Sequence, residues 1–566
     1  MKKKWELKNK NITESNNDSQ KNEIINKYKL GNLVSAIISE KGLSEKEIEI
    51  FLNPTRVDFH DPFEMPDMKK AVDRILKAIK NNEKTIIYGD YDADGITSST
   101  ILKRFFKDLD FNVDVYIPNR LDEGYGLNKD AINYIKEEGY TLIITVDCGI
   151  TAVDEIDLAN SLGIDVVVTD HHEPAENLPE AIAVVDCKRK DNKYPFRELA
   201  GCGVAFKLTM AIAKKLELAE TSYLKYIDIA CVGTIADIVP LVDENRVICK
   251  LGLLLLKQTK IIGLRILLES IGYKKLDSST ISFGIAPRIN ACGRMGHEKD
   301  ALELFLTDDI IEARKLVEKL NMYNNERQQI EKKMFEEAKE LVDADKNNAM
   351  IIVGKENWHH GVIGIVSSKV TEMYYKPSIL YSIEEETAKG SGRSIQGFDL
   401  HEALENSKKY IKQFGGHSMA VGVTLELDKI EEFKKSMQEY AKACKIDEII
   451  PIINIESIIE IKDLSVKEIS DLSLLEPYGE GNSRPIYQIN NVKITSKRSI
   501  SDGKHLKLSV TDERDREIEC IGFNMGELSS DYIIGDKIDL VGNLEINSYM
   551  GIDKVQINLK DIRHTI

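Results

Sequence analysis

Thr85-Ile86-Ile87-Tyr88-Gly89-Asp90-Tyr91-Asp92-Ala93-Asp94-Gly95 is the stretch that decides the fold. Its first half is a short apolar run that reads as a buried strand; its second half delivers three carboxylates and a glycine at that strand's end. Two later runs end the same way: Leu142-Ile143-Ile144-Thr145-Val146 leads into Asp147, and Ile164-Asp165-Val166-Val167-Val168-Thr169 into Asp170-His171-His172. Open α/β sheets place their sites beyond the carboxyl ends of their strands. Five carboxylates and two imidazoles gathered at one sheet edge would destabilise one another unless cations sat between them. The pattern predicts a metal-dependent hydrolytic centre.

Plainer readings of the same residues fail one by one. Asp-x-Asp-x-Asp-Gly also opens a calcium loop of the helix-loop-helix type, which needs a bidentate Glu at its twelfth position. Counted from Asp90 that position is Ile101, and the segment before the loop is a strand. Asp94-Gly95 suits a hairpin turn, but Ile96 to Lys107 reads as a helix, so the chain does not fold straight back. His171-His172 alone would pass for a surface pair; their position after a strand, level with Asp147, argues otherwise.

Working outward, strands and helices alternate from Met68. A strand at Val113–Ile117, a helix over Lys129–Glu138, a helix over Ala152–Leu162 and a strand at Ile182–Val185 complete a βαβ rhythm. The fold class expected is α/β, with a doubly wound, mainly parallel sheet. Helices then dominate to about Leu268, broken at Ala236-Asp237-Ile238-Val239-Pro240, where Asp237 emerges at a helix end. Asp309 to Asp343 is charged and free of Gly and Pro, with Leu316, Leu320 and Tyr323 at helical spacing, and reads as a connecting helix. A second α/β lobe follows: strand Met350–Val353, helix Val362–Tyr374, strand Ser378–Tyr381, helix Leu400–Lys412 and the glycine-rich turn Phe414-Gly415-Gly416-His417-Ser418. Past Ile449 the pattern becomes short alternating strands with turns at Asp502-Gly503 and Gly535-Asp536, as in a small OB-like β-barrel. The expected domains are an N-terminal segment (1–67), a catalytic domain (68–300), the connecting helix (301–345), a substrate-binding lobe (346–447) and the barrel (448–566). Residues before about 70 read as polar and irregular, with Asn11–Lys21 disordered and a short helix over Gly42–Phe51.

The 566 residues are too many for one core, and 42% hydrophobic with 30% charged residues describe a globular protein. No apolar run reaches membrane-spanning length, and the basic start Met1-Lys2-Lys3-Lys4 lacks the apolar stretch of a secretion signal. Eight cysteines without CxxC spacing, most in apolar surroundings, suit reduced core residues of a cytoplasmic protein. The net charge of −17 is unusual for a nucleic-acid binder. Part of it belongs to the proposed metal site, so a strand path must be a local stripe.

Tyr88-Gly89-Asp90-Tyr91-Asp92-Ala93-Asp94-Gly95, Val146-Asp147-Cys148-Gly149, Asp170-His171-His172 and Ala236-Asp237-Ile238-Val239-Pro240-Leu241, in this order, resemble the motifs of the DHH phosphoesterase superfamily. Pro287-Arg288-Ile289-Asn290-Ala291-Cys292-Gly293-Arg294-Met295, Trp358-His359-His360-Gly361-Val362-Ile363-Gly364, Ser391-Gly392-Arg393-Ser394 and Gly415-Gly416-His417 narrow the likeness. They resemble the bacterial RecJ single-strand-specific exonucleases, as does Tyr478-Gly479-Glu480-Gly481-Asn482. The likeness runs from about residue 70 to the C-terminus. One departure stands out: many family members carry His where this chain has Tyr88.

In an extended segment Asp90, Asp92 and Asp94 share one face, and Gly95 lets the backbone turn into a helix whose N-terminus suits phosphate. Asp147 is placed to bridge two ions, with Asp237 and His171 completing the shell. This oxygen-rich set suits Mn²⁺ or Mg²⁺ rather than zinc. Two such ions about 3.5–4 Å apart activate water and steady both attacking and leaving oxygens. The resemblance puts His172 beside the metals, against the scissile phosphate. Ser391 and Arg393 suit a terminal 5′ phosphate, and Gly415-Gly416-His417 suits another phosphate. Arg120, Arg288, Asn290, Arg294 and His359 join the substrate-binding set through the family motifs. On the barrel, Tyr487, Lys493, Lys497, Arg498, Lys504 and Lys507 are candidates for single-stranded DNA, although Lys-rich edges also serve solubility.

The resemblance implies a monomeric 5′-to-3′ exonuclease that degrades single-stranded DNA to mononucleotides in recombination and repair, alongside a helicase and a single-strand-binding protein. One alternative is a phosphodiesterase for short oligonucleotides or cyclic dinucleotides. Another, of a different class, is a non-catalytic single-strand-binding scaffold.

Overall fold

The three motif-bearing strands, Thr85–Gly89, Leu142–Val146 and Asp165–Thr169, lie side by side in a five-stranded sheet. Asp114–Tyr116 forms one edge and Ala183–Val185 the other, and every pairing is parallel. The structure is a computed structural model and describes residues 3–8, 23–25, 27–344, 348–549 and 551–565. The disorder expected of Asn11–Lys21 lies outside the described residues.

Alternate residues of these strands enter two apolar layers, with Ile87, Ile144, Val146 and Val167 on one side and Ile86, Ile143, Val166 and Val168 on the other. Helices cover both faces: Lys129–Glu137 and Val153–Ser161 on one, Ala93–Asp108, Gly201–Lys215 and Ile227–Ala236 on the other. Two-sided burial is why the strands read as unbroken apolar runs; each buried Ile or Val contributes roughly 1.5–3 kcal/mol. The sheet places the second strand outside the first and the third on the first strand's other side. The winding therefore reverses between Thr85–Gly89 and Leu142–Val146, which opens a crevice at their carboxyl ends.

The connecting helix spans Ile310–Ala344 and is about 50 Å long at 1.5 Å per residue. Leu316, Leu320 and Tyr323 pack into the core of the first lobe, while Met334, Ala338 and Val342 pack with Val362, Val366 and Leu380 of the second. The second lobe carries a five-stranded mixed sheet in the order Ile411–His417, Ala420–Glu426, Thr387–Arg393, Ser378–Glu384, Ile351–Glu356. The helix expected over Leu400–Lys412 stops at Asn406, and the expected glycine turn is the edge strand Ile411–His417. The hairpin closes one step later, where Gly416 takes φ +130 and His417 pairs with Ala420.

The chain divides into two compact units, Arg56–Ile449, and Met1–Thr55 together with Ile450–Ile566. In the latter, Tyr487–Ile500 pairs with both His505–Thr511 and Lys537–Tyr549, while Glu517–Gly522 pairs with Ile552–His564, closing a five-stranded barrel. The N-terminal segment, expected to be irregular, is part of this unit. Lys4–Leu7 pairs in parallel with Ile452–Ile455, and Trp5 Nε1 donates to Asp561 Oδ2 at 2.8 Å. Helices Asn32–Glu40 and Glu45–Leu52 bury Val34, Ile37, Ile38, Phe51 and Leu52 in the barrel's core. The first helix lacks a side-chain cap of its own; the carboxylates of Asp471 and Glu468 accept from the amides of Gly31, Asn32 and Leu33 instead.

Candidate metal centre and phosphate-binding cleft

At the end of the Thr85–Gly89 strand the chain turns into helix Ala93–Asp108, capped by Asp92, whose Oδ1 accepts from the amides of Asp94 (2.8 Å) and Gly95 (3.1 Å). Because the cap is Asp92, Asp94 lies in the helix's first turn rather than on an extended face with Asp90, as expected from spacing. Gly95 is obligatory: a Cβ there would stand 2.3 Å from the Asp90 carbonyl oxygen. Asn290 holds this turn through Oδ1, which accepts from the Ala93 amide at 2.8 Å. Asp94 is buried and accepts from the amides of Gly201 and Cys202 at the start of helix Gly201–Lys215.

Asp147 follows its strand with φ +59, a left-handed conformation costly for a non-glycine residue. His171 Nε2 stands 3.1 Å from Asp147 Oδ1 and 3.7 Å from both Asp94 Oδ2 and Asp237 Oδ2. Asp237 caps the carboxyl end of helix Ile227–Ala236. The side chains form groups that could hold metal ions: Asp90, Asp92 and Asp147; Asp94, His171 and Asp237; and Asp147, His171 and His172. All seven expected residues thus come together, with Asp147 common to the carboxylate group and a histidine group.

The electrostatics fit hard divalent cations. Burial, then repulsion from Asp94, Asp92, Asp90 and Asp237, pushes the Asp147 carboxyl well above its ordinary range. Burial and Asp92 raise Asp90 likewise and lift Asp94 to about 6; burial with Asp94 and Asp92 lifts Asp237 to about 9. Burial, with His172 beside it, lowers His171 to about 3, leaving a neutral imidazole. Asp90 Oδ1 is buried without a hydrogen-bond partner among the described residues. A set of oxygens with a minority of imidazole suits Mn²⁺ or Mg²⁺, whose charge would relieve the same repulsion that raises these carboxyls.

Tyr125 escaped the sequence reading, and Asp170, counted there among the carboxylates, was given no role of its own. Asp170 is buried and accepts from the amides of Ile150, His171 and His172 and from His172 Nδ1 at 2.7 Å. Burial would lower the His172 pKa, but the hydrogen bond to Asp170 and the surrounding carboxylates lift it to about 9. Tyr125 OH stands 3.2 Å from His172 Nδ1 and 3.3 Å from the Asp147 carbonyl oxygen. Its flanks, Gly124 and Gly126, both with positive φ, were the available signal for an ordered loop. Tyr88, by contrast, donates to the Gly126 carbonyl, accepts from Asn128 and stacks on Tyr116 in the opposite apolar layer.

Beside the carboxylates lies a cavity of about 840 Å³ lined by Arg120, Arg294, His359, Ser391 and Arg393 among others. Arg120 lies over the Tyr91 ring at 5.0 Å. Arg294 donates to the Gly361 carbonyl (2.8 Å) and Arg393 to Ser391 Oγ (3.0 Å) and the Gly392 carbonyl (2.7 Å). None of the three guanidiniums has a carboxylate partner among the described residues. Burial and repulsion from Arg120 and Arg327 lower Arg294 to about 10, and burial lowers Arg393. Buried cations without a carboxylate partner mark an anion site. Glycine makes room: a Cβ at Gly361 would reach 2.4 Å from the Arg294 carbonyl oxygen, and one at Gly364 would crowd Arg393. His359 Nδ1 accepts from the Gly361 amide, so that ring caps helix His360–Tyr374.

Other candidates sit elsewhere. Arg288 is held by Asn321 Oδ1 and the Gly284 carbonyl and is not part of the cavity wall. Gly415, Gly416 and His417 belong to the edge strand outside that wall, and a Cβ at Gly415 would meet open space. On the barrel, Tyr487 is buried in the core, Lys497 donates to the Ser529 and Tyr532 carbonyls, and Lys507 pairs with Glu519 at 2.8 Å. Lys493, Arg498 and Lys504 remain exposed cations.

The chain matches the family model of the DHH family N-terminal domain over residues 84–234, the DHHA1 domain over 347–443 and the RecJ OB domain over 455–561. It is 41% identical to the single-stranded-DNA-specific exonuclease RecJ of Bacillus subtilis, covering 94% of this chain and 67% of that one. It is 31% identical to RecJ of Escherichia coli, covering 88% and 90%. The RecJ crystal structure with Mn²⁺ from Thermus thermophilus superposes with a TM-score of 0.86 at 28% identity, covering all of this chain and 80% of that one. The Mg²⁺ complex gives 0.79 at 27% identity, with 100% and 79% coverage.

Proposed function

The chain belongs to the RecJ family of single-stranded-DNA-specific exonucleases, and we propose that it removes mononucleotides from the 5′ end of single-stranded DNA by metal-dependent phosphodiester hydrolysis. The observation that carries this is the placement of two candidate ligand groups sharing Asp147 next to a cavity lined by guanidiniums that have no carboxylate partner among the described residues.

Two Mn²⁺ or Mg²⁺ ions, held by Asp90, Asp92 and Asp147 and by Asp94, Asp147, His171 and Asp237, would supply Lewis acidity and a bound water of lowered pKa. The chain's own groups do the rest. Asp170 keeps His172 cationic and aimed, so that the imidazolium steadies a non-bridging phosphate oxygen. Tyr125 OH, within reach of both ring nitrogens, steadies that ring further. Arg393 with Ser391, backed by Arg120 and Arg294, grips the terminal 5′ phosphate. This sets polarity, since the first internucleotide bond is then the one delivered to the carboxylates. His359 and Asn290 act on the backbone that shapes the site. On the barrel, Lys493, Arg498 and Lys504 track the phosphate backbone.

The setting that fits this activity is recombination and repair in the cytoplasm, where a helicase and a single-strand-binding protein supply and manage the strand. The non-catalytic alternative requires loss of ligands, and the retention of every candidate ligand in groups that could hold a metal ion speaks against it. The test is release of mononucleotide from 5′-labelled single-stranded DNA with Mn²⁺, its abolition by EDTA, and inertness of the matching duplex. Binding without cleavage would favour the scaffold; cleavage confined to dinucleotides would favour the small-substrate enzyme.

A further inference from the structure

The cavity beside the metal centre does not stop at the residues needed for one phosphate. Strand Thr387–Arg393 lines it with Lys389, Ser391 and Arg393, alternate residues that share a face. Same-face neighbours stand about 7 Å apart at roughly 3.3 Å rise per residue. Arg120, Arg393, Ser391 and Lys389 line the same cavity, and along the strand Lys389 follows Ser391 on the side away from Arg393. Lys389 is exposed and has no hydrogen-bond or ion-pair partner among the described residues. The far lip is formed by Glu384, two strand positions from the Lys389–Ser382 pair and hydrogen-bonded to His360 Nε2. A cation left free on the wall of a cavity of about 840 Å³, behind the clamp for a terminal phosphate, has room and charge to spare.

We propose that the stretch from Ser391 to Lys389 is a subsite for phosphates beyond the first, so that strands ending in a 5′ diphosphate or triphosphate are accepted as substrates. The proposal rests on the exonuclease reading above. Arg393 and Ser391 hold the phosphate nearest the nucleoside, Lys389 meets the outer ones, and Glu384 with His360 bounds the end. Cleavage remains the same reaction. Water adds to the phosphorus of the first internucleotide bond, the bond from that phosphorus to the 3′ oxygen breaks, and that oxygen takes a proton. The first product is therefore an intact nucleoside 5′-triphosphate with a 3′ hydroxyl, and the shortened strand carries a 5′ monophosphate.

The experiment compares one single-stranded DNA bearing a 5′ monophosphate or a 5′ triphosphate, with the full chain and Mn²⁺ and with mass detection of the first product. Expected is a kcat/KM for the triphosphate strand within about threefold of the monophosphate strand, with nucleoside triphosphate released. Lys389→Ala should lower the triphosphate value by about fivefold or more and leave the monophosphate value within about twofold; Lys389→Glu should lower it further. Discrimination by the parent above about tenfold against the triphosphate, equal effects of Lys389→Ala on both strands, or release of pyrophosphate would overturn the proposal. If neither strand is cut, the exonuclease reading has failed on its own. Titration with inorganic tripolyphosphate against orthophosphate then decides the subsite. A preference of about tenfold that Lys389→Ala abolishes supports it, and equal affinity overturns it.

Discussion

His172 Nδ1 stands 2.7 Å from Asp170 Oδ1, and Asp170 also accepts from three backbone amides, so a single buried carboxylate fixes both the ring and the turn that presents it. Asp170→Asn should lower kcat by about 10–100-fold, the usual cost of losing an orienting partner in a metal site. His172, held near 9 in the parent, would fall toward its ordinary value. The imidazolium would then be lost at lower pH, and the alkaline limb of the pH–rate profile should move toward acid. A profile that stays in place would count against His172 acting as a cation.

Asp147→Asn should reduce hydrolysis by more than about 1000-fold while the fold stays intact. Two features of the parent make it benign for stability: the carboxyl is crowded by Asp90, Asp92, Asp94 and Asp237, and its φ is +59, which Asn tolerates. The metal-free Tm of the variant should equal or exceed the parent's, and the rise in Tm on adding Mn²⁺ should shrink. Thermal scans with and without Mn²⁺ check both.

The Asp237 carboxyl is raised from 3.8 to about 9, chiefly by burial and then by Asp94 and Asp92. In the metal-free protein a raised carboxyl contributes stability in acid that is lost as pH climbs through the folded-state value. The metal-free Tm should therefore fall between about pH 5 and pH 9 more steeply in the parent than in Asp237→Asn. Saturating Mn²⁺ should close that gap at the alkaline end and release protons on binding. Parallel Tm-versus-pH curves for the two metal-free proteins would show that Asp237 is not part of the crowded set.

Arg393→Ala should raise KM for 5′-phosphorylated single strands by about 10-fold or more and leave the Mn²⁺-induced rise in Tm unchanged. Its guanidinium contacts Ser391 and a backbone carbonyl but no ligand of the metal groups. A matched loss of metal binding would show that it supports the centre instead of the strand end.

On the barrel the cations divide by their partners. Lys497→Ala should lower stability, because its ammonium ties down the carbonyls of Ser529 and Tyr532, with little change in DNA binding. Joint replacement of Lys493, Arg498 and Lys504 by Ala should do the opposite, weakening DNA binding and flattening its salt dependence by about 2–3 units of slope. Ile38→Ala, in the N-terminal helix buried against the same core, should cost about 2–5 kcal/mol in denaturant unfolding.

What was legible in the sequence follows from how each element is stabilised. The parallel strands could be read because both faces are buried, so Ile86, Ile87, Ile143 and Ile144 are all apolar. The cluster of candidate ligands could be read because its members stand at strand or helix ends, Asp90, Asp147, His171 and Asp237 alike. Asp170 could not be separated from the ligands beside it, since which way a carboxylate turns after a strand is a backbone property. Helix Asn32–Glu40 was hidden because its caps, Glu468 and Asp471, lie more than 400 residues along the chain. The edge strand Ile411–His417 was misread because Lys409, Lys412 and the paired glycines hold little apolar pattern; its pairing with Ala420–Glu426 supplies the order. Lys497 and Tyr487 looked like surface candidates because a period-2 strand does not say which face closes a barrel.

The most direct test is anomalous diffraction from crystals soaked in Mn²⁺. Two peaks are predicted, one against Asp90 and Asp92 and the other against Asp94, His171 and Asp237, with the Asp147 carboxylate touching both. A single peak, or manganese bound away from Asp147 in a protein that still hydrolyses single-stranded DNA, would contradict the account.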